Sequence, residues 1–283
     1  MGAALDDLAR DGAVAHEAPT LDAAETVRAL SARLAGYFQG ESAVRVRLSD
    51  GIVADAAAGS DYIKIRGDAR FSPREVRLLE VHEGWAHLGT TLNGQRQPVC
   101  TFLSKGPPSS TVTQEGLAVL TEVFAFASHP RRVRRLTHRI EAVALAEAGA
   151  DFLDVYRFFL REGHERREAY QHSVRVFRGS RPAGGPFTKD LCYSRGFVQV
   201  YHFMRLAVRR GLVRRVPLLF CGKTHLGDVK TLAQLVEEGL VEPPRFVPPP
   251  FADLHALCAW LCYANLLNGL SHSRVEQDYA GLF

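Results

Sequence analysis

Two histidines, His82 and His87, lie five residues apart, and this interval constrains the fold more than any other feature of the sequence. On a regular α-helix, at about 100° per residue, five steps turn a side chain by about 140°, so the two rings would point to different sides. They can bind one ion only where the helix is locally widened, as in a single π-type turn. Gly84 lies between them and makes such a distortion cheaper because it has no Cβ. A shared metal site therefore predicts a distorted helix.

The residue types around this interval suit a catalytic zinc ion. Zinc takes nitrogen, oxygen or sulfur ligands at about 2.0–2.3 Å, and a catalytic site leaves one position open for water. Glu83, beside the first histidine, is the predicted general base. Glu115, 28 residues beyond His87, is predicted to donate the third ligand from a second helix, which is the layout of a gluzincin. Glu122 lies on the same helix face as Glu115, and three roles stay open for it: holding a ligating histidine, a buried ion pair, or a surface position.

The remaining pattern predicts a mainly helical α+β protein: a gluzincin-like metallopeptidase core with a small antiparallel sheet next to the metal helices. Val44, Val46 and Leu48 alternate with arginines, which indicates a half-buried strand, and a second extended run covers 62–65. Asp50-Gly51 is a tight-turn signal. Apolar periodicity and capping residues predict helices over 22–38, 72–91, 113–126, 132–148, 151–162, 165–177, 188–210, 228–238 and 252–268.

We expect this chain to divide near residue 40. An N-terminal arm and helix would cover 1–40, and a single metallopeptidase catalytic domain would cover 41–283. Within that domain we expect the sheet over 41–70, the zinc helices over 72–127 and a helical remainder over 130–283.

Five segments of the chain together resemble a known family. They are VHEGWAH (81–87), TTLNGQRQP (90–98), TVTQEGLAVLTE (111–122), FTKDLCYSRGFVQVYHF (187–203) and LVEEGLVEPPRFVPPPF (235–251). In this order they resemble the QEGLA-motif family, also described as flavohaemoglobin expression-modulating proteins, which includes the microtubule-associated tyrosine carboxypeptidases. The resemblance implies a zinc-dependent peptidase that removes a C-terminal residue, often aromatic, from a peptide or protein. It implies one zinc ion (Zn2+) bound by His82, His87 and Glu115, with Glu83 as the catalytic glutamate.

A carboxypeptidase must also hold a free carboxylate at a fixed distance from its metal. Lys189 is a candidate for this contact, and Tyr193, one helical turn later, is a candidate donor to the oxyanion of the tetrahedral intermediate. Arg195 is a competing anion binder on another face, and Lys223 is a third candidate for contact with the substrate. Residues 61–66 are the candidate edge strand for pairing with an extended peptide, with a purely structural ribbon as the alternative.

Composition narrows the classes of partner. The formal net charge is only +4, and the arginine clusters at 131, 132, 134, 135 and at 209, 210, 214, 215 contain no interleaved aromatic residues. They favour a solvated face or an acidic-peptide contact over a nucleic-acid interface, so no nucleic-acid partner is expected. With neither a signal peptide nor a sufficiently long apolar run, we expect no membrane association. The five cysteines form no CxxC pair, which favours a reducing, cytoplasmic setting.

Other functions stay open at this point. The same scaffold could carry an endopeptidase or an aminopeptidase. A non-catalytic or regulatory zinc-binding protein is a second alternative, against which the retained general-base glutamate argues. Processing of a small modified peptide is a third.

Overall fold

The protein is mainly helical, and the computed structural model describes residues 17–40 and 44–282. We number the helices α1 (Ala23–Tyr37), α2 (Pro73–Leu79), α3 (Gly89–Gln95), α4 (Thr111–Phe124), α5 (Pro130–Glu147), α6 (Phe152–Arg161), α7 (Arg166–Val176), α8 (Leu191–Arg209), α9 (Val229–Glu237), α10 (Pro249–Ala252), α11 (Leu254–Leu267) and α12 (His272–Tyr279). A π-helical segment, Glu80–Leu88, joins α2 to α3. The predicted N-terminal arm lies outside the described residues up to position 16.

The predicted α+β, mainly helical fold is confirmed, but the sheet is mixed and not antiparallel. Its strands β1 (Arg45–Ser49), β2 (Ala56–Ala58) and β3 (Tyr62–Arg66) lie in the order β1-β3-β2. β1 runs parallel to β3, whereas β2 runs antiparallel to it. An alternating pattern fixes which side chains share a face but not the direction of the neighbouring strand. The chain leaves β1 at Asp50-Gly51 and passes to the far side of β3, so the tight turn that we predicted there closes no hairpin.

The helix that carries the histidines begins where predicted and ends later than predicted. Ser72 caps it in a capping box with Glu75, and Pro73 occupies its first turn. It continues through Asn93-Gly94 to Gln95. Asn93 is buried there: its amide donates to the carbonyls of Phe220 and Phe246, at 2.8 Å each. The helix was predicted to end at residue 91 because an Asn-Gly pair commonly marks a turn, whereas here Asn93 makes tertiary contacts.

Three large apolar clusters join most of the described helices. The first joins α1, the sheet and the histidine helix through Leu30, Leu34, Ile63, Ile65 and Leu88. The second joins α4, α8 and α11 through Leu117, Val200 and Leu261, and the third joins α5, α6 and α7 through Val143, Val155 and Val176. α1 shares the first cluster with the sheet. This packing does not test the predicted boundary near residue 40, which stays a prediction. Within 17–40 and 44–282 we find no helix with the length and apolar character that crossing a bilayer requires.

Candidate metal centre

The helix widens where the histidine interval requires it. Glu80–Leu88 forms i→i+5 hydrogen bonds over nine residues, which brings positions five apart onto one face. The rings of His82 and His87 lie 4.7 Å apart between centroids and nearly perpendicular, at 89°. The predicted widening is confirmed and is longer than a single turn. A Cβ on Gly84 would lie 2.5 Å from Leu34 Cδ2, so this glycine also lets α1 pack closely against the widened segment.

Glu115 on α4 brings a carboxylate to the two histidines. Its Oε2 lies 3.6 Å from Nε2 of His82 and 3.4 Å from Nε2 of His87. This oxygen is buried and has no hydrogen-bond partner, whereas Oε1 forms an ion pair with Lys189 Nζ at 3.0 Å. Two imidazole nitrogens and one carboxylate oxygen therefore face a common point.

These three donors fit a tetrahedral divalent ion. One ligand atom from each of His82, His87 and Glu115 lies within 4.8 Å of the others. Ligands at 2.0–2.1 Å from a tetrahedral zinc are separated from each other by about 3.3 Å, close to the distances observed here. A buried carboxylate oxygen without a donor is costly unless a cation satisfies it. The donor set and the orphaned oxygen both agree with a metal ion at this point.

Glu122, also on α4, contacts the ring nitrogen of His82 that does not face Glu115. Its Oε1 lies 2.6 Å from His82 Nδ1, which leaves Nε2 to face Glu115. Arg132 donates to both oxygens of the same carboxylate, at 2.9 and 3.1 Å, and all three side chains are buried. Burial alone would raise the pKa of Glu122, but Arg132 and His82 outweigh it and lower the pKa to about 2. Of the roles left open for Glu122, the structure selects the buried ion pair that holds a histidine, and the solvated position predicted for Arg132 was wrong.

Replacing Glu122 with Gln should weaken metal binding. The amide cannot match the charge-assisted bond that fixes the tautomer and orientation of His82, so we expect a 10–100-fold loss of affinity. Competition with a chromophoric chelator measures this loss directly. Glu147→Gln, the same chemical change at an exposed position on α5, serves as the control and should bind the metal normally. Equal affinities in the two variants would contradict an orienting role for Glu122.

Glu83 is anchored to the free edge of the sheet. Backbone bonds from Arg66 N to Asp55 O and from Gly59 N to Tyr62 O attach β2 to β3, so Ala56 and Ala58 direct their backbone groups away from the sheet. The amide of Ala58 donates to Glu83 Oε2 at 2.9 Å. β2 was not predicted from the sequence, because its three alanines carry little strand signal. The proposed edge strand 61–66 was wrong: β3 has a neighbour on both sides, and β2 is the edge beside the histidines.

A cleft of about 500 Å³ opens in front of this centre. Tyr193, Lys189 and Lys223 line it together with the histidines, Glu83 and Glu115, so the structure gathers most of the predicted site residues. Arg195 is exposed and does not contribute to its lining. Among the residues that the structure describes, Arg195 thus lies outside the lining of the cleft, and its role as an anion binder stays a prediction.

Tyr193 lies against the first histidine. Its ring stacks on that of His82 at 6.1 Å, and its hydroxyl accepts a hydrogen bond of 3.4 Å from Arg175. Burial, assisted by the charge of Glu115, raises the pKa of Tyr193, so the hydroxyl keeps its proton and can donate it in a hydrogen bond.

Lys223 belongs to a polar network that ties the two metal helices together. Its Nζ donates to the carbonyl of His87 at 2.7 Å and to Thr90 Oγ1 at 3.0 Å. Thr90 in turn donates to the side-chain oxygen of Gln114, the residue before Glu115. Burial lowers the pKa of Lys223 to about 8, so the ammonium still predominates at neutral pH. The glutamine of the QEGLA sequence thus positions the backbone around the ligands, which spacing alone did not indicate.

A second group of possible ligands lies elsewhere. His164, Glu168 and His172 also bring one atom each within 4.8 Å of the others. The guanidinium groups of Arg131, Arg135 and Arg139 act electrostatically on this group and oppose the entry of another cation. Among the described residues, the first group is therefore the better metal centre.

The fold and the site together define a class. A helical protein with two histidines and a glutamate on adjacent helices, and a second glutamate beside the first histidine, has the type of site that metallopeptidases use. The chain belongs to the microtubule-associated tyrosine carboxypeptidase family, whose model matches residues 1–269. Membership in this family implies carboxypeptidase chemistry. No curated protein matches the chain in sequence.

Proposed function

We propose that the protein is a zinc-dependent carboxypeptidase that removes a C-terminal residue from a peptide or protein. The observation that carries this proposal is the buried, donor-free Oε2 of Glu115 facing the Nε2 atoms of His82 and His87, beside Glu83. His82, His87 and Glu115 would hold the ion. When bound, zinc supplies a Lewis acid that activates water and polarises a carbonyl group.

Residues of the chain itself would take the remaining catalytic roles. Glu83 takes the proton of the attacking water and returns a proton to the departing amine. The Ala58 amide holds the Glu83 carboxylate in place while it does so. Tyr193, kept protonated by its burial, donates to the oxyanion that develops on the scissile carbonyl.

The free edge of β2 provides a surface for the substrate backbone. Ala56 and Ala58 direct backbone groups outward along the large cleft, where an extended peptide can pair with them. Lys189 and Lys223 line the same cleft and contribute positive charge to it. We propose that the peptide lies along this edge with its scissile carbonyl next to Glu83.

The test is mass spectrometry of peptides with varied C-termini, incubated with the zinc-loaded protein. We expect successive loss of single C-terminal residues, fastest for aromatic ones, and resistance of C-terminal amides. A chelator should stop the reaction, and added zinc should restore it. Internal cleavage would instead indicate an endopeptidase, and loss from the N-terminus an aminopeptidase.

A paired substitution links turnover to the metal. His87→Ala should reduce the bound zinc from about one ion per chain to a small fraction, because two protein ligands hold zinc poorly. His255→Ala, at an exposed position on α11, should leave metal content and turnover unchanged. If His87→Ala keeps its full metal content, the proposed centre is wrong.

A further inference from the structure

A second, smaller cavity lies beside the candidate metal centre. Its volume is about 110 Å³, and His82, Glu83 and Tyr193 line both it and the large cleft. Five arginines also line it: Arg66, Arg132, Arg135, Arg139 and Arg175. Such a concentration of guanidinium groups around so small a space is favourable only when anions balance it.

Three of these five arginines form an ion pair with a carboxylate. The pairs are Arg66–Asp55 at 2.9 Å, Arg132–Glu122 at 2.9 Å and Arg175–Asp190 at 2.6 Å. Glu83, the remaining carboxylate in the lining, is held by the Ala58 amide. Arg135 and Arg139 form no ion pair with any residue in 17–40 or 44–282; Asp55, Glu75 and Glu168 attract Arg135, and Asp190 attracts Arg139, only from beyond ion-pair distance.

The two remaining arginines are also short of hydrogen-bond acceptors. They lie four residues apart on α5 and thus on one helix face. The Nε atoms of both are buried, and neither has a hydrogen-bond partner among the described residues. Burial and neighbouring guanidinium groups lower the pKa of Arg135 and lower that of Arg139 to about 9. Guanidinium groups that form no ion pair among the described residues, and whose buried Nε atoms have no acceptor there, indicate a place for an anionic ligand.

We infer that this cavity binds the α-carboxylate of the residue that the enzyme releases, with Arg135 and Arg139 as its partners. The inference rests on the proposed carboxypeptidase function. An apolar cavity of about 150 Å³ holds benzene, so the small cavity here admits a carboxylate and a few more atoms but no extended peptide. The large cleft then takes the chain before the scissile bond and the side chain of the released residue, and Glu83 lies where the two spaces meet.

The lysines of the site are less suited to this role. Lys189 is already paired with the proposed metal ligand Glu115, and Lys223 donates to the carbonyl of His87 and to Thr90. A guanidinium, in contrast, presents two parallel donors that match a carboxylate. The arginine cavity therefore replaces Lys189 as the carboxylate site.

Calorimetric titration of zinc-loaded Glu83→Gln protein tests the inference without turnover. The probes are a short peptide ending in tyrosine as the free acid, the same peptide as its C-terminal amide, and a C-terminal glutamic acid α-amide, which carries only a side-chain carboxylate. We expect the free acid to bind at least about 30-fold more tightly than either amide. Adding Arg139→Gln should reduce this ratio to near one, whereas Arg210→Gln, an exposed arginine on the other cluster, should preserve it.

Stability separates a binding role from a structural one. Removing a charge that forms no ion pair should leave the melting temperature of the peptide-free Arg139→Gln protein unchanged or raise it, whereas a structural arginine would lower it. An acid-to-amide ratio that survives Arg139→Gln, equally tight binding of the glutamic acid α-amide, or stronger competition by inorganic phosphate than by acetate would each overturn the assignment. If the wild-type protein cleaves no peptide but the acid preference depends on Arg139, the peptidase proposal fails while the pocket stands. If peptides are cleaved but the preference for the free acid does not depend on Arg139, the peptidase proposal stands and the assignment of the pocket fails.

Discussion

Glu83→Gln is expected to lower kcat by about 10²–10⁴-fold while the protein keeps its metal. Glutamine has nearly the same volume, and its side-chain oxygen can still accept the 2.9 Å hydrogen bond from the Ala58 amide. What it loses is the ability to take a proton, which is the contribution of a general base. The three metal-binding side chains are unchanged, so the zinc content should remain that of the wild type.

Two measurements are needed together: single-turnover kinetics on a cleaved peptide, and the zinc content of the same sample. The matched control is Glu237→Gln, an equal change at an exposed position of α9, which should behave as the wild type. Full activity of Glu83→Gln would remove Glu83 as the base. Loss of zinc from this variant would mean that Glu83 acts through the metal site and not through proton transfer.

The convergence of His82, His87 and Glu115 could be predicted from the sequence because much of its geometry is local. An interval of five residues can serve one ion only if the helix widens, and the π-helical segment Glu80–Leu88 has this form. The capping box of Ser72 and Glu75 likewise depends on residues three apart. Glu115 was predicted as the third ligand from its motif, and its carboxylate faces both histidines.

What the sequence did not predict depends on contacts between distant segments. Arg132, which binds Glu122, was grouped with exposed arginines because consecutive charges usually mark a solvated face. The spacing of positions 132, 135 and 139 is helical and could have indicated one shared face, but not that the face is buried. The strand direction and the role of Ala58 could not be predicted from the sequence either, since both depend on where the chain passes after β1.

The glycine of the QEGLA sequence allows its helix, α4, to lie very close to α8. Gly116 on α4 faces Gly196 on α8, and the two backbones approach so closely that no side chain fits between them. A Cβ on Gly196 would lie 1.9 Å from the Val112 carbonyl oxygen, and one on Gly116 would lie 2.0 Å from the Gly196 carbonyl carbon. The obstructing atoms are backbone, so no change of rotamer can relieve the overlap.

Gly196→Ala is therefore expected to destabilise the protein by about 3 kcal/mol or more, at the upper end of overpacking effects. Gly36→Ala is the matched control: this exposed glycine on α1 has open space around its Cβ position, and helix propensity predicts a gain of about 0.5–1 kcal/mol. Urea unfolding in the presence of a chelator measures both, because bound metal would otherwise add to the apparent stability.

The same substitution should also weaken the metal site. α4 carries Glu115 and Glu122, so separating it from α8 moves one proposed ligand and the support of another away from the histidine helix. We expect Gly196→Ala to lose zinc affinity along with stability, whereas Gly36→Ala should change stability alone. An alanine at position 196 that left the unfolding midpoint unchanged would mean that the two helices do not cross at these glycines, and the position of Glu115 would then need another explanation.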